Sequence, residues 1–298
     1  MSFKKFLSEI KSIRDYEQNS IGNLLLNDIN EYLNKINSTA GEENGFSFKL
    51  FENGTDVFES LEGVGGYSGV MIRSPHYIGL MLDNENMKTE FLGAYYFQSI
   101  VKKLYELDLG SCWINIRNVS ESTKHKLLNS EDKEINYLLS FGRTDVKGAK
   151  QKTSTIHVQS GESYKTNPYG AKIVESLDTE TCRLGLEEIV FLHKWGEEIT
   201  YEELESRGLA DLFQYVRNAP SYKNKQPCRF ILKDGETCLA IKNPNNKENI
   251  TDAGIMLFTV EGMAKDTGIP VKWYYKEKYE QDADKEKAEY VILAKIEL

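Results

Sequence analysis

Residues 217–230 combine two prolines with amide and hydroxyl side chains. Pro220 is expected to end the preceding helix, because proline biases the residue before it away from the α conformation. Pro227 restricts the backbone where a strand begins. The polar residues held on this short, stiff turn are Ser221, Asn224 and Gln226. Such a turn can direct donors and acceptors at a planar ligand with polar edges, although an ordinary turn between helix and strand also favours Pro, Ser and Asn.

Length and composition limit the class of protein. A chain of 298 residues is expected to form one large domain or two of ordinary size. Its 40% hydrophobic and 28% charged residues are typical of a globular protein with a sizeable core. A net charge of -9 argues against non-specific binding to nucleic acid or to an anionic membrane. No apolar run has the length of a membrane span, and the start of the sequence lacks a signal-peptide core. We therefore expect a soluble, cytoplasmic protein.

Cysteine and histidine are sparse and scattered. The four cysteines have no CxxC spacing, which argues against a disulfide framework or a zinc site. The four histidines are isolated from one another, so no metal site is expected. We expect Cys112 and Cys228 to be small core residues, since nothing in the sequence indicates a depressed thiol pKa.

The elements that must position these residues follow from the periodicity of the apolar side chains. The first half predicts helices over 2–12 and 24–36, a polar loop over 39–45, strands over 46–51, 77–82 and 135–141, and a long apolar helix over 88–107. The second half predicts helices over 185–193, 201–217 and 252–265, and strands over 229–233, 237–242, 271–275 and 290–296. A helix that is apolar nearly all round belongs at the centre of a domain or at an interface.

The two halves run in the same order. Ala94 precedes Trp113 by the same number of residues by which Gly254 precedes Trp273. This agreement predicts a duplicated α+β unit, although many α+β chains alternate in this way by chance. The predicted divisions are a first half over 1–150, a connecting arm over 151–184 and a second half over 185–298. The arm is rich in Ser and Thr and follows a local basic run that includes Lys150 and Lys152.

Three motifs in this chain resemble those of the FMN-dependent nitroreductases. That family carries A-P-S-x-x-N-x-Q-P-x-x-F, and residues 219–230 match it with Ala219, Pro220, Ser221, Asn224, Gln226, Pro227 and Phe230. Its N-terminal motif of a basic residue, Ser, any residue and a basic residue is matched by Lys11-Ser12-Ile13-Arg14, with Ile10 where a further arginine is usual. Its Gly-x-Gly-Thr-Cys-Trp-Ile segment is similar to residues 108–114. The resemblance covers nearly the whole chain as two family domains, and is closest to the tandem, fused subgroup.

The resemblance implies an α+β, nitroreductase-like fold whose two tandem half-domains form an intramolecular pseudo-dimer. The family normally binds each flavin between two subunits, so the fusion of both into one chain allows a monomer. The first half keeps Lys11-Ser12-Ile13-Arg14 and Gly110-Ser111-Cys112-Trp113 but has Ser38-Thr39-Ala40-Gly41-Glu42-Glu43 at the A-P-S position. The second half keeps 219–226, whereas its N-terminal counterpart, Arg183-Leu184-Gly185-Leu186, is degraded. This complementary loss implies one composite flavin site; the alternative is that neither site works.

The resemblance also assigns cofactor-binding roles. Arg14 can offer a bidentate fork to the FMN phosphate, Lys11 a point charge and Ser12 a hydroxyl. Lys150 and Lys152 are further phosphate candidates or, alternatively, part of a solvated arm. The motif residues expected at the polar edge of the flavin or its ribityl chain are Ala219, Pro220, Ser221, Asn224 and Gln226. The segment expected to offer a backbone amide to flavin N5 is Ser111, Cys112, Trp113, Ile114 and Asn115, and Trp113 is alternatively an ordinary core residue.

No side chain stands out as an obligate acid, base or nucleophile, which suits an enzyme whose flavin carries the chemistry. The resemblance implies ping-pong electron transfer from NAD(P)H to a small-molecule acceptor such as a nitroaromatic or a quinone. A second hypothesis is a flavin-binding or degenerate sensor or storage protein without turnover. A third is the ring-fragmenting or dehalogenating chemistry of some family members.

Overall fold

The computed structural model describes residues 2–128, 133–144, 156–157, 163–166, 172–175, 183–276 and 290–298. The helices of these ranges are α1 (Phe3–Glu9), α2 (Asn23–Ile36), α3 (Glu42–Asn44), α4 (Gly54–Leu61), α5 (Met87–Glu106), α6 (Glu121–Leu127), α7 (Leu186–Ile189), α8 (Tyr201–Ser206), α9 (Ala210–Val216) and α10 (Lys247–Thr267). The strands are β1 (Phe46–Phe51), β2 (His76–Leu82), β3 (Gly110–Asn115), β4 (Glu134–Gly142), β5 (Ile156–His157), β6 (Ser163–Thr166), β7 (Lys172–Glu175), β8 (Val190–Leu192), β9 (Cys228–Lys233), β10 (Glu236–Lys242), β11 (Lys272–Tyr275) and β12 (Tyr290–Glu297).

The chain forms two compact units, and each is assembled from separate stretches of sequence. The N-unit comprises residues Lys11–Asn84 and Lys103–Thr181. The C-unit comprises Met1–Ile10, Glu85–Lys102 and Cys182–Leu298. The predicted division of the sequence at residues 150 and 184 stays a prediction, as does the predicted pairing of the halves as a pseudo-dimer.

Each unit is built on one sheet, and four antiparallel strands of each sheet repeat one topology. The N-unit sheet has the order β1-β2-β4-β3. The C-unit sheet has the order β11-β12-β10-β9-β8, so β9-β10-β12-β11 repeats the first four strands, and β8 adds a parallel strand beside β9. A register shift interrupts β2 against β4 and β10 against β12. The predicted α+β fold of two tandem half-domains is thereby confirmed. In the predicted arm, β5, β6 and β7 form a small third sheet.

The long helices α5 and α10 occupy equivalent places in the two repeats. Helix α5 follows β2, and α10 follows β10, which is the equivalent strand of the second sheet; residues 85–102 of the α5 region lie with α10 in the C-unit. A methyl group placed on Gly254 would lie 2.3 Å from the Phe91 carbonyl oxygen and 2.9 Å from Ala94 Cβ. Ala94 and Gly254 are the positions that the sequence repeat aligns. The two helices therefore meet backbone to backbone at positions that the sequence repeat aligns.

Local signals explain where α10 begins and ends. Asn246 caps its first turn, since its Oδ1 accepts a hydrogen bond from Glu248 N. Gly268 ends it in the left-handed conformation, with φ of 78°. Between these residues, positions 249–260 are buried without interruption. The apolar helix predicted over 252–265 is therefore present, and the observed helix begins five residues earlier than the periodicity indicated.

The second half differs from the sequence prediction in two places. The helix predicted over 185–193 stops after α7, because Val190 enters β8 and pairs with Phe230 of β9. The helix predicted over 201–217 is divided into α8 and α9, since Gly208 between them has φ of 70°. In the first half, the loop predicted over 39–45 continues α2 as a π-helical turn over Asn37–Gly41 followed by α3.

A core cluster of the N-unit packs α4 against its sheet, with Val57 and Leu61 meeting Tyr77, Ile114 and Leu138. Within the described ranges, the free cysteines are Cys112, Cys228 and Cys238, all buried. A search of the same ranges found no helix that is both long and apolar enough to cross a membrane.

Candidate functional site

The basic motif of the N-unit lies along the edge strand β3. Ser12 forms a parallel bridge with Ser111, and Ile13 N donates to the Ser111 carbonyl oxygen at 2.9 Å. Because β3 is the last strand of its sheet, its outer edge is open to such an addition. The structure thus brings together two motifs that lie about a hundred residues apart in the sequence.

Packing fixes the position of this added segment. A methyl group on Gly110 would lie 2.9 Å from Ile13 Cγ1 and 3.0 Å from Ile13 Cβ, so Ile13 rests directly on the glycine. Tyr16 holds the segment from the other side, since its hydroxyl donates to the Ile13 carbonyl oxygen at 2.6 Å. The same hydroxyl lies 3.0 Å from Ser140 Oγ on β4. Tyr16 is 5% exposed, and burial raises its pKa. Sequence reasoning gave Tyr16 no such anchoring role.

The charged residues of the motif are available to a ligand. Lys11, Ser12 and Arg14 are exposed. Within the described part of the chain, neither Lys11 nor Arg14 forms an ion pair with a carboxylate. Two uncompensated cations and a hydroxyl on a fixed backbone form a donor set that fits a phosphate group, which binds through charge-assisted hydrogen bonds. The residues present therefore fit the phosphate end of FMN.

The Cys112 thiol behind this segment is a core group. Burial raises its pKa, although the Arg14 charge and a hydrogen bond with Ser12 act in the opposite direction. A buried thiol whose pKa is raised stays protonated at neutral pH and is a poor nucleophile.

The other predicted residues of β3 divide between core and partial exposure. Ser111, Cys112 and Ile114 are buried, and Ile114 belongs to the core cluster of the N-unit. Trp113 is half-buried, and its ring packs edge-on against Tyr137 with centroids 5.6 Å apart. Asn115 Oδ1 accepts a hydrogen bond from Arg117 N at 2.9 Å. Lys150 and Lys152, the late basic pair, lie outside the described residues.

The proline motif lies in the C-unit and folds as predicted into a tight turn. Residues Tyr222–Asn224 form a 3₁₀ turn, and positive φ angles occur at Lys223, Asn224 and Gln226 (51°, 58° and 48°). Non-glycine residues in this region are strained, and such strain is often found at ligand-binding loops. The loop is therefore held in place by its surroundings.

Side-chain hydrogen bonds provide that support. Ser221 Oγ accepts from Gln226 N at 3.1 Å. Gln226 is buried, its Oε1 accepts from Leu184 N at 3.0 Å, and its Nε2 donates to the Asn224 carbonyl oxygen at 3.1 Å. Ala219 is buried, and its carbonyl oxygen accepts from Arg183 Nη1 at 2.7 Å. Gln226 thus braces the loop, while Ser221 retains a hydroxyl proton that it can donate.

Asp252 on α10 is a member of this site that sequence reasoning missed. It is 3% exposed, and its two carboxylate oxygens lie 2.9 and 3.1 Å from Tyr222 N, which donates to them. It lines a cavity of about 10 Å³ together with motif residues that include Pro220, Ser221 and Cys228. Burial raises the pKa of Asp252 to about 7, against the opposing effect of the Tyr222 hydrogen bond. The available signal was that Asp252 is the one charged residue in the stretch 249–260.

The N-terminal segment of the second half takes a different place from its counterpart. Arg183 and Leu184 bond to the proline motif through Ala219 and Gln226, and β8 then continues beside β9. The basic motif pairs with β3, whose counterpart in the second sheet is β11. The second segment leads instead to β9, which is not a neighbour of β11, so the pairing of the basic motif with β3 is not repeated. This geometry agrees with the degraded sequence at 183–186.

Comparison with solved structures places this fold among nitroreductases. A "putative nitroreductase" of Thermotoga maritima MSB8 is similar over 100% of this chain and 93% of its own, with a TM-score of 0.56 and 14% identity. A nitroreductase of Bacteroides fragilis with bound FMN aligns with 54% of this chain and 97% of its own, with a TM-score of 0.42 and 16% identity. An FMN-dependent nitroreductase of Mycobacterium smegmatis in complex with NADPH covers 53% of this chain and 98% of its own, with a TM-score of 0.37 and 11% identity.

No curated protein sequence matches this chain. A family model described as "Putative TM nitroreductase" matches residues 3–264, which include the basic motif, β3 and the proline motif. Since this match spans most of the chain, the protein belongs to the nitroreductase family that this model describes.

Proposed function

We propose that this protein is an FMN-dependent oxidoreductase of the nitroreductase type. The observation that carries the proposal is the pairing of Lys11-Ser12-Ile13-Arg14 with the β3 segment, which places unpaired basic side chains on a rigid strand edge. Membership of the nitroreductase family supports an oxidoreductase. In this proposal the protein binds and orients a flavin, and the flavin carries the redox chemistry.

The motif residues divide the work of binding FMN. Arg14 provides a planar fork for the phosphate, Lys11 a compact positive charge and Ser12 a hydroxyl donor. Tyr16 and Gly110 fix the backbone that bears them, so the cations need little reorganisation on binding. The backbone of β3 from Trp113 to Asn115 is the proposed partner of the ring, and Lys150 and Lys152 remain further phosphate candidates.

The proline motif is included on its resemblance to the family. Its proposed contributors are Ala219, Pro220, Ser221, Asn224 and Gln226. Ser221 is the most suitable direct donor, because its hydroxyl proton is available while the Gln226 side chain braces the loop. Asp252 holds this loop through Tyr222 N and acts as a positioning residue.

The proposed reaction needs no nucleophile or general base from the chain. Bound FMN would supply two-electron chemistry between NAD(P)H and an acceptor such as a nitroaromatic or a quinone. The described thiol near the motif, Cys112, is buried and kept protonated. Ping-pong kinetics are expected, because the electron donor and the acceptor would occupy the same open face of the flavin in turn.

FMN binding tests the proposal directly. The purified chain is expected to be yellow, or to become yellow with added FMN, and NADH or NADPH is expected to bleach the colour under anaerobic conditions. Bleaching that reverses when a quinone is added supports the enzyme. A yellow protein that neither nicotinamide bleaches supports a sensor or storage role, and a protein that takes up no FMN overturns the proposal.

An arginine variant locates the site. Arg14→Ala is expected to weaken FMN binding by about 10- to 100-fold, because it removes a charge-assisted contact with the phosphate. Arg73→Ala is the matched control, since Arg73 is also exposed, lies in the same unit and is remote from the motif in sequence. Equal FMN affinity for the Arg14→Ala variant and the wild type, measured by fluorescence quenching, would show that the phosphate binds elsewhere.

A further inference from the structure

A second pocket lies in the C-unit, between the chain that follows Arg183 and the helices α8 and α9. Its volume is about 470 Å³, within the range of small-molecule sites. Leu186, Ile199 and Leu204 supply apolar walls. Tyr201 and Gln214 add a phenol and an amide, and Arg217 adds a guanidinium. The pocket therefore combines apolar walls with polar groups, a positive charge at Arg217 and a negative charge at Glu187.

The guanidinium of Arg217 is incompletely hydrogen-bonded. Its Nε is buried without a hydrogen-bond partner, and its Nη1 donates to the Leu184 carbonyl oxygen only at 3.4 Å. Arg183 is close enough that the Arg217 charge, together with burial as the larger cause, lowers the pKa of Arg183. Within the described residues, neither arginine forms an ion pair with a carboxylate. Two neighbouring, partly desolvated cations are costly unless an anion compensates them.

We propose that this pocket binds a small organic carboxylate with an apolar body. The carboxylate is held by Arg217, whose planar fork matches the two oxygens, and the body packs on Leu186, Ile199 and Leu204. None of the proposed FMN ligands lines this pocket, and Arg217 is the residue that it shares with the small cavity at the proline motif.

A monoanion fits this pocket better than a phosphate. Arg217 is the one cation among the described lining residues, and Glu187 lines the pocket as well. The Glu187 carboxylate folds back over Gly185, where a methyl group would lie 2.6 Å from Oε1. The repulsion between the Glu187 carboxylate and an anionic ligand grows with the charge of the ligand. A dianion is therefore bound less favourably than a monoanion.

Benzoate is the probe that tests the pocket. Calorimetric titration of the full chain, with and without saturating FMN, is expected to show benzoate binding of equal affinity in both cases. Benzamide, which has the same shape without the charge, is expected to bind at least about tenfold more weakly. Inorganic phosphate alone is expected to bind more weakly than benzoate.

Three variants assign the contacts. Arg217→Gln is expected to weaken benzoate binding by about tenfold. Glu187→Gln is expected to strengthen it by about twofold or more, because a like charge is removed. Arg207→Gln is the matched control and should leave the affinity unchanged, since Arg207 lies at the end of α8, faces Glu203 and does not line the pocket.

The proposal is overturned if benzoate gives no binding, if benzamide or phosphate binds as tightly, or if Glu187→Gln weakens benzoate binding. These outcomes need no arginine variant, so they decide the question even if Arg217→Gln fails to fold. They are also independent of whether the chain binds FMN.

Discussion

Asp252 places a carboxylate inside the apolar helix α10, where a charge is most costly. The Tyr222 N–H compensates part of that cost, and the adjoining cavity of about 10 Å³ has room for at most one water molecule. Burial still dominates, and the pKa of Asp252 is about 7. At neutral pH, the protonated and the charged form of the Asp252 side chain are therefore both populated.

This pKa predicts a stability that depends on pH. The folded-state value of about 7 lies above the roughly 3.9 of an unfolded chain, so the folded state binds the proton more tightly. The resulting stabilisation is complete below about pH 4 and is lost as the pH rises through about 7. Between pH 5 and pH 8 the free energy of unfolding is expected to fall by on the order of 2 kcal/mol from this group.

Asp252→Asn separates this effect from other titrations. The amide oxygen can still accept from Tyr222 N, but it does not titrate. Urea unfolding at pH 5 and pH 8 is expected to show the variant gaining on the wild type by about 2 kcal/mol at the higher pH. A constant difference between the two proteins at both pH values would show that Asp252 does not titrate in this window.

Residues differ in how far the sequence reveals them. The spacing of Lys11, Ser12 and Arg14 was readable because the motif is contiguous. Asp252 was not readable, because its role depends on burial and on a backbone N–H thirty residues away in sequence. Arg217 stood at the head of the proline motif without an assigned role, and only the fold shows that it lies beside Arg183 and an open pocket.

At the scale of elements, the crossing of α5 and α10 brings the backbones of two helices into contact at Gly254. Alanine normally stabilises a helix over glycine by about 1 kcal/mol. At position 254 the added methyl group would instead meet the Phe91 carbonyl oxygen, which belongs to the backbone and cannot rotate away. Whether alanine at position 254 raises or lowers the free energy of unfolding therefore tests the contact between the two helices.

Gly254→Ala is expected to lower the free energy of unfolding by about 1–3 kcal/mol, as overpacked sites do. Lys265→Ala on the exposed last turn of α10 is the control, and a change of about 0.5 kcal/mol or less is expected there. Thermal and urea unfolding measure both variants. A Gly254→Ala protein more stable than the wild type would mean that the helices do not touch at this point.

Periodicity predicted most elements well and failed where tertiary contacts decide. The strands around β2, β9, β10 and β12 were placed within about one residue, since their apolar runs are bounded by turns. The short strand β8 was predicted as helix, because its pairing with β9 comes from another part of the chain. The attachment of residues 12–13 to β3 has no local signal at all, since that segment reads only as an interruption between two helices.

At the scale of the whole molecule, the repeated sheet order and the single basic motif lead to an expectation about stoichiometry. Both halves have the topology β-β-α-β-β, but only the first carries Lys11-Ser12-Ile13-Arg14 on its third strand. The counterpart in the second half bonds to the proline motif instead. On the proposed function, each chain is expected to bind about one FMN.

Flavin released by heat from the saturated protein, measured against protein concentration, gives this ratio. At an FMN concentration about ten times the wild-type Kd, the expected 10- to 100-fold loss of affinity lowers the ratio for Arg14→Ala to between about one half and one tenth. Two flavins per chain, or a ratio that survives Arg14→Ala, would contradict the assignment of one functional basic motif.

The crossing of Ala94 with Gly254 has an evolutionary consequence. In a dimer of identical chains, one mutation at a crossing point changes both helices, so the pair can be only Gly–Gly or Ala–Ala. A single chain that encodes both helices can mutate each alone, and this one carries the unequal pair Ala–Gly. On the predicted duplication, joining the two copies in one gene releases each from the constraint of symmetry. On the proposed function, the same freedom allows one half to keep its basic motif while the other loses it and acquires a pocket of its own.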